Sequence, residues 1–145
     1  MNKLFLRLRG RNGAESIPMS ETLRRIVEIR RQGKLWIVGF IADQVPLWNN
    51  IHLWLDFLHH DTPVFTGSER IARKFDSDVY YLDIRRERRG YYLARFVLMA
   101  EHAASQPEGE LTRSYFRHLE MSIRRQPPFY LWTHNRWKRT HEEYN

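Results

Sequence analysis

The chain has 145 residues, 42% hydrophobic and 14% aromatic, with Gly 7, Pro 6, no cysteine and a net charge of +7. That balance excludes a disordered or collagen-like chain, and the lack of thiols excludes a disulfide scaffold, a thiolate zinc site, an iron–sulfur cluster and a cysteine nucleophile. The length predicts one domain over 1–145, able to bury roughly two thirds of the surface that its unfolded form exposes.

In chain order, Arg7, Arg9 and Arg11 interrupt the stretch that an apolar signal core would occupy. Ser20 with Glu21 opens a helix whose apolar stripe is Leu23, Ile26 and Val27, opposite Arg24, Arg25 and Arg31, and Gly33 is its natural stop. Leu35 to Ala42, the longest apolar run, is far short of the roughly 20 residues that span a bilayer. It reads as a strand buried on both faces, and the short helix-to-strand link predicts parallel pairing. Asp43 and Gln44 follow at its carboxyl end, where open α/β sheets place ligands; a cap for the next segment is the alternative for Asp43.

Leu47, Ile51, Trp54, Leu55 and Leu58 have helical spacing, so 46–58 reads as an amphipathic helix. Val64 to Gly67 is a short strand into a turn, and Ser68, Glu69 and Arg70 open a helix carrying Ile71, Ala72 and Phe75. A turn feeding a helix amino terminus can take a phosphate, with Arg70 as an added partner. Val79 to Ile84 and Tyr91 to Met99 read as strands, Arg85 to Gly90 as a basic hairpin loop, and 103–109 as a linker. Leu111, Tyr115, Leu119 and Ile123 mark a helix that starts at Glu110 and stops at Pro127-Pro128.

Charge is unevenly placed. Residues 1 to 34 hold nine Lys or Arg against three Glu, whereas Leu35 to Glu69 contains no Lys or Arg but does contain Trp36, Trp48 and Trp54. Basic flanks around a tryptophan-bearing middle fit a protein lying on an anionic membrane; solvated helix faces and core tryptophans are the ordinary alternative. The tail, Phe129 to Arg139, interleaves aromatic and basic residues. Such a pattern can stack nucleobases or close a domain through cation–π contacts.

His52 and Asp56, four apart, could pair a base with an orienting carboxylate if helical, but a surface pair is the simpler reading. His59-His60-Asp61 lacks the further ligand that a zinc site needs. There is no Gly-rich phosphate loop, dinucleotide fingerprint or Gly-flanked nucleophilic Ser.

Several blocks, in order and at matching spacing, nevertheless form a pattern: Leu8-Arg9-Gly10-Arg11-Asn12-Gly13, Gly39-Phe40-Ile41-Ala42-Asp43-Gln44, Pro63-Val64-Phe65-Thr66-Gly67 with Glu69 and Ala72, Val79-Tyr80-Tyr81-Leu82, Arg85-Arg86, Gly90-Tyr91-Tyr92, Ile123-Arg124-Arg125-Gln126-Pro127, and Trp132-Thr133-His134-Asn135-Arg136-Trp137-Lys138. The chain thereby resembles the carboxyl-terminal half of the bacterial lipid A biosynthesis acyltransferases of the lauroyl and myristoyl type, within the lysophospholipid acyltransferase-like superfamily.

The resemblance implies an α/β fold, a mixed and partly parallel sheet flanked by helices, as a truncated glycerolipid-acyltransferase-like domain. It implies transfer of a fatty acyl chain from acyl carrier protein or coenzyme A, as co-substrate with no further cofactor or metal, to a hydroxyl of a membrane lipid. The family's base is the histidine of a His-x4-Asp/Glu motif. None of the histidines here has an acidic residue five positions later, so no residue takes the catalytic role, and the anchor and catalytic strand would precede Met1.

By the same resemblance Asp43, Gln44, Thr66, Gly67, Ser68, Glu69 and Arg70, with Arg85 and Arg86, are the substrate-binding residues. Trp132, His134, Arg136, Trp137 and Lys138 close the domain or rest on the membrane. The expectation is a substrate-binding half, inactive alone and peripheral at the cytoplasmic face of the bacterial inner membrane. Its partners are the lipid acceptor, the acyl donor, the anionic surface and acyl carrier protein. The rival is a non-catalytic basic module that binds nucleic acid or anionic lipid.

Overall fold

The computed structural model describes residues 7, 8 and 10–144, in two units, Met1–Gly39 and Phe40–Asn145. Arg9 of the opening block and Lys3 of the basic flank lie outside the described residues.

In the first unit, α1 (Thr22–Arg31) buries Ile26 and turns Arg24, Arg30 and Arg31 outward. Glu21, not Ser20, occupies the N-cap position, and its side chain makes no cap bond. The predicted stop is present: Gly33 is left-handed at φ +66, its N–H reaches Arg30 O at 3.0 Å, and the Lys34 N–H reaches Ile29 O at 3.3 Å. These are the paired bonds of a Schellman motif, which favours glycine because a side chain would crowd that conformation.

The run from Leu35 to Ala42 is not a strand. A strand buried on both faces needs neighbours for its N–H and C=O groups, and neither of the two sheets among the described residues includes it. Leu35 and Ile37 are consequently bare, 100% and 95% exposed, and Ile41 is 71% exposed, while Trp36 and Val38 are half-buried and Ala42 is buried.

The second unit holds β1 (Leu53–Phe57), β2 (His60–Val64), α2 (Gly67–Phe75), β3 (Val79–Arg88), β4 (Tyr91–Ala100), α3 (Glu110–Arg125) and α4 (His141–Tyr144). Helices and strands mix as an α/β class requires, but pairing is antiparallel throughout the two two-stranded sheets, β1 with β2 and β3 with β4. Parallel pairing needs a crossover connection, whereas Leu58-His59 and Arg89-Gly90 return each chain directly into its neighbour. The helix predicted over 46–58 is also corrected: Trp48–Asn50 is a single 3-10 turn and β1 follows. Leu55 and Phe57 are buried and Asp56 is exposed, a period of two that outweighs the helical spacing once β2 lies alongside. Leu58 and His59 both have positive φ, 55 and 65, as the two central residues of a type I′ turn must.

The expected loop over 85–90 shrinks to Arg89-Gly90, with Gly90 at φ +82, and Arg85, Arg86 and Arg88 lie on β3. Along this ribbon Tyr81 is buried while Tyr80, Leu82 and Ile84 are exposed, facing the same way as Phe96 and Leu98. Leu111, Phe116 and Ile123 form the buried stripe of α3. Phe116 and Ile123 join Leu55, Phe57 and Val64 in the main core, against which Tyr115, Leu119, Tyr130 and Trp137 pack. Ala100, Ala103 and Leu111 form a second cluster with Ala72 and Val79.

The bare segment predicts self-association. Size-exclusion chromatography with light scattering should show concentration-dependent oligomers, and Leu35→Lys with Ile37→Lys should move the population to monomer; a cooperatively unfolding monomer in the wild type is the contrary result.

Candidate functional site

Asp43 is half-buried and Gln44 exposed, and the segment that follows them is held by the carboxyl-terminal tail. The Val45 N–H donates to His134 Nε2 at 3.2 Å, which requires the histidine tautomer with that nitrogen unprotonated. Arg139 donates to Pro46 O and lies 4.8 Å from the Trp48 ring centroid. Between these clasps the tail passes beneath the β1–β2 hairpin. Arg136 is only 1% exposed and its Nη2 donates to Pro63 O at 2.9 Å, while the Trp137 indole N–H donates to Thr62 Oγ1 at 2.9 Å. Arg136 Nε and Nη1 are buried without a hydrogen-bond partner. The Phe116 ring, 5.4 Å from its guanidinium, offers partial compensation through its π face.

The charge of Asp43 is felt by a cluster of buried groups. Burial pushes the Tyr81, Tyr115 and Tyr130 hydroxyls above the ordinary phenol value, and the Asp43 charge adds to the rise at all three. Burial pulls Arg136 down, opposed by Tyr130, Asp43 and Tyr115; a guanidinium nevertheless stays charged. A hydrogen-bonded chain leaves this cluster: Tyr81 Oη and Ser122 Oγ are 3.0 Å apart, Ser122 Oγ donates to Asp83 Oδ1 at 3.1 Å, and Arg125 Nη2 reaches the same oxygen at 2.5 Å. His118 stacks on Tyr81 with centroids 5.2 Å apart. The Arg125 hydrogen bond holds the Asp83 carboxyl below the usual range, burial opposes it, and Ser122 assists.

The Thr66 to Arg70 turn is built differently. The Phe65 ring lies over Gly67, so that a Cβ there would stand 2.2 Å from Phe65 Cζ and the half-buried ring would have to move aside. Glu69 is buried, and its carboxylate accepts the Gly109 N–H at 2.7 Å, the Thr112 N–H at 3.0 Å and the Thr112 hydroxyl. Gly109 is the N-cap of α3 and has no side chain to offer. Glu69 therefore caps α3 from 40 residues away, and its charge complements the positive end of that helix. Thr66 is buried, Ser68 half-buried and Arg70 exposed. Among the described residues no hydrogen bond or ion pair joins Asp43 or Gln44 to this turn.

Arg85 lies 4.0 Å from Glu87. The Arg86 backbone is gripped by Gln126, which accepts its N–H at 3.1 Å and donates to its carbonyl at 2.8 Å. In the tail, Trp132 and Lys138 are exposed whereas Arg136 and Trp137 face the core. Sequence reasoning missed Tyr81, Tyr115, Tyr130, Ser122 and Arg125. Tyr115 reads only as an apolar helical position and Tyr81 only as part of a strand and of a resemblance block, and no spacing signal links either to Asp43.

A hollow of about 560 Å³ lies in the first unit, lined by Arg7, Leu8, Gly10 and Arg11 and by none of the predicted substrate-binding residues. Among the described residues no group of three acidic or histidine side chains gathers to hold a metal.

The family model of the bacterial lipid A biosynthesis acyltransferases matches residues 1–139. The chain belongs to that family. Neither the curated proteins nor the solved structures gave a match. The family's chemistry is the acyl transfer of lipid A biosynthesis, which in general takes a lipid acceptor and an acyl donor, and the family is membrane-associated. No helix among the described residues is long and apolar enough to cross that membrane.

Two measurements check the site's construction. Glu69→Gln puts an amide where three donors converge and should cost about 2–3 kcal/mol in urea unfolding, against about 1 kcal/mol for Thr112→Ser. Because Asp83 has a lowered pKa in the folded chain, its stabilisation is present above the unfolded value near 3.9 and is lost as pH falls through the folded value. The stability gap between wild type and Asp83→Asn should therefore be constant from about pH 7 to 5 and narrow progressively once the pH falls below the unfolded value; it should stay under about 1 kcal/mol and shrink with salt, since Arg125 is part-exposed.

Proposed function

We propose that this chain is the acceptor-holding part of a lipid A acyltransferase. The complete reaction moves a fatty acyl group from the thioester of acyl carrier protein or coenzyme A to a hydroxyl of a membrane lipid, at the cytoplasmic face of the bacterial inner membrane. The family match carries the reading, and the polar cluster around Asp43 supports it. A half-buried carboxylate whose charge is felt by three buried phenols can accept a hydrogen bond from an acceptor hydroxyl and fix its orientation.

Arg70 and the amino end of α2 supply positive charge for a phosphorylated headgroup, with Arg85 and Arg86 as further basic contacts. Glu69 belongs to the same block as a positioning residue: it anchors the turn to α3 and spends both oxygens there. The acyl donor needs no resident cofactor. With no His-x4-Asp/Glu in the sequence, the chain by itself lacks a base for the acceptor hydroxyl and does not turn over.

The test combines transfer and binding. Given labelled acyl carrier protein or acyl coenzyme A and a phosphorylated disaccharide lipid acceptor, the purified chain should form no product above background but should bind the acceptor saturably. Asp43→Asn and Arg70→Gln should each weaken that binding about tenfold, a loss of one good polar contact. Product formed by the chain alone overturns the inactivity, and binding unchanged in both variants overturns the acceptor site.

A further inference from the structure

The tip of the β3–β4 hairpin and the segment after α3 form one projecting surface. Gln126 fastens the two through its pair of bonds to the Arg86 backbone, and the Arg86 guanidinium lies 5.5 Å from the Phe129 ring centroid. Trp132 is oriented by its indole N–H on Pro127 O at 2.7 Å and by the edge-on ring of Tyr130 at 5.0 Å. Even so, Phe129, Leu131 and Trp132 are each more than half exposed. On the hairpin side, Arg88 covers the Tyr91 ring at 3.7 Å, and Arg88 and Arg89 are exposed. Among the described residues, Glu87 near Arg85 is the carboxylate paired at this tip, and none lies within ion-pair distance of Arg86, Arg88 or Arg89.

Two further observations decide the partner. The arginines are uncompensated, so the surface complements a negative one. The exposed apolar character also continues away from the tip along the outer face of the ribbon, through Tyr80, Leu82, Ile84, Phe96 and Leu98. A polynucleotide has phosphates for the arginines but nothing to cover aliphatic side chains, and a second copy would bring like charge to the tip. A phospholipid surface satisfies both, with phosphates at the headgroup level and hydrocarbon just below it.

We propose that this tip is where the chain rests on an anionic bilayer, with Arg88 and Arg89 among the headgroup phosphates and Phe129, Leu131 and Trp132 at the acyl boundary. The assignment rests on the peripheral-membrane reading above and specifies its surface. It also divides the tail block, since Trp132 faces the lipid while Arg136 and Trp137 close the core.

Flotation of the full chain with vesicles tests it, because aggregates do not float. The wild type should float with phosphatidylethanolamine–phosphatidylglycerol vesicles, less at high salt, and poorly with phosphatidylcholine. Arg88→Gln with Arg89→Gln should weaken the anionic association by roughly thirty-fold. Lys74→Gln with Arg113→Gln, which removes the same charge elsewhere in the second unit, should stay within about threefold. As a readout that does not depend on charge variants, brominated lipid should quench the wild-type tryptophan fluorescence, and Trp132→Phe should remove most of that quenching. If the wild type fails to float with anionic vesicles, the peripheral reading itself falls. If it floats and the tip pair changes nothing, or no more than the control pair, or only dissolves an oligomer, or if Trp132→Phe leaves quenching intact, the tip assignment alone is overturned.

Discussion

The second unit depends on a buried cation at the end of the chain. Placing the Arg136 guanidinium beneath β2 removes it from water at a cost of several kcal/mol, and one carbonyl, one aromatic face and a nearby carboxylate return part of that. The remainder comes from apolar area that the same segment delivers. Tyr130 and Trp137, each partly buried, pack against Phe57 and the main core, and the apolar area that they cover contributes at about 25 cal/mol per Å². Having entered the core, the tail also fixes Val45 and Pro46 through His134 and Arg139. The position of Asp43 is thus set by residues about ninety places later in the chain.

Helix α3 then works as a common spine. Its amino end is closed by Glu69, its middle carries Phe116 into the core and Tyr115 against Tyr81, and its last turn presents Ser122 and Arg125 to Asp83. Just beyond it, Gln126 holds the basic hairpin. The turn, the carboxylate cluster and the hairpin tip therefore each attach to a different stretch of one rigid element. A lipid acyltransferase needs such order, because an acceptor hydroxyl misplaced by an ångström loses much of the benefit of being bound.

Local chemistry was readable where it was self-contained. Gly33 ended α1 because only a left-handed residue closes that motif, and Glu110 and Pro127-Pro128 bracketed α3. Reading failed where the outcome lies in a partner. Leu35 to Ala42 has the composition of a central strand, but a strand exists only when something pairs with it. Leu47, Ile51, Trp54, Leu55 and Leu58 satisfy helical spacing, but Ile51, Leu53, Leu55 and Phe57 satisfy the alternation of a strand equally well, and pairing with β2 decides between the two patterns. The candidate site divides the same way. Asp43 and Arg136 were visible as residues of interest, but their proximity is a long-range fact. Glu69 carried the appearance of a ligand-facing acid, and the clue to its capping role was the bare Gly109 before Glu110.

The turn between β1 and β2 shows why that hairpin escaped notice. Asparagine and glycine are the usual occupants of such a bend, whereas leucine and histidine each incur on the order of 1–3 kcal/mol there. The bend is uphill by itself, so the ribbon does not nucleate its own shape. Leu58 reaches the main core, and the gain from that contact arrives only after α3 and the tail have assembled. The hairpin beneath which Arg136 is threaded is accordingly a product of the finished core, and any lesion in the tail should be felt first as a loosened ribbon.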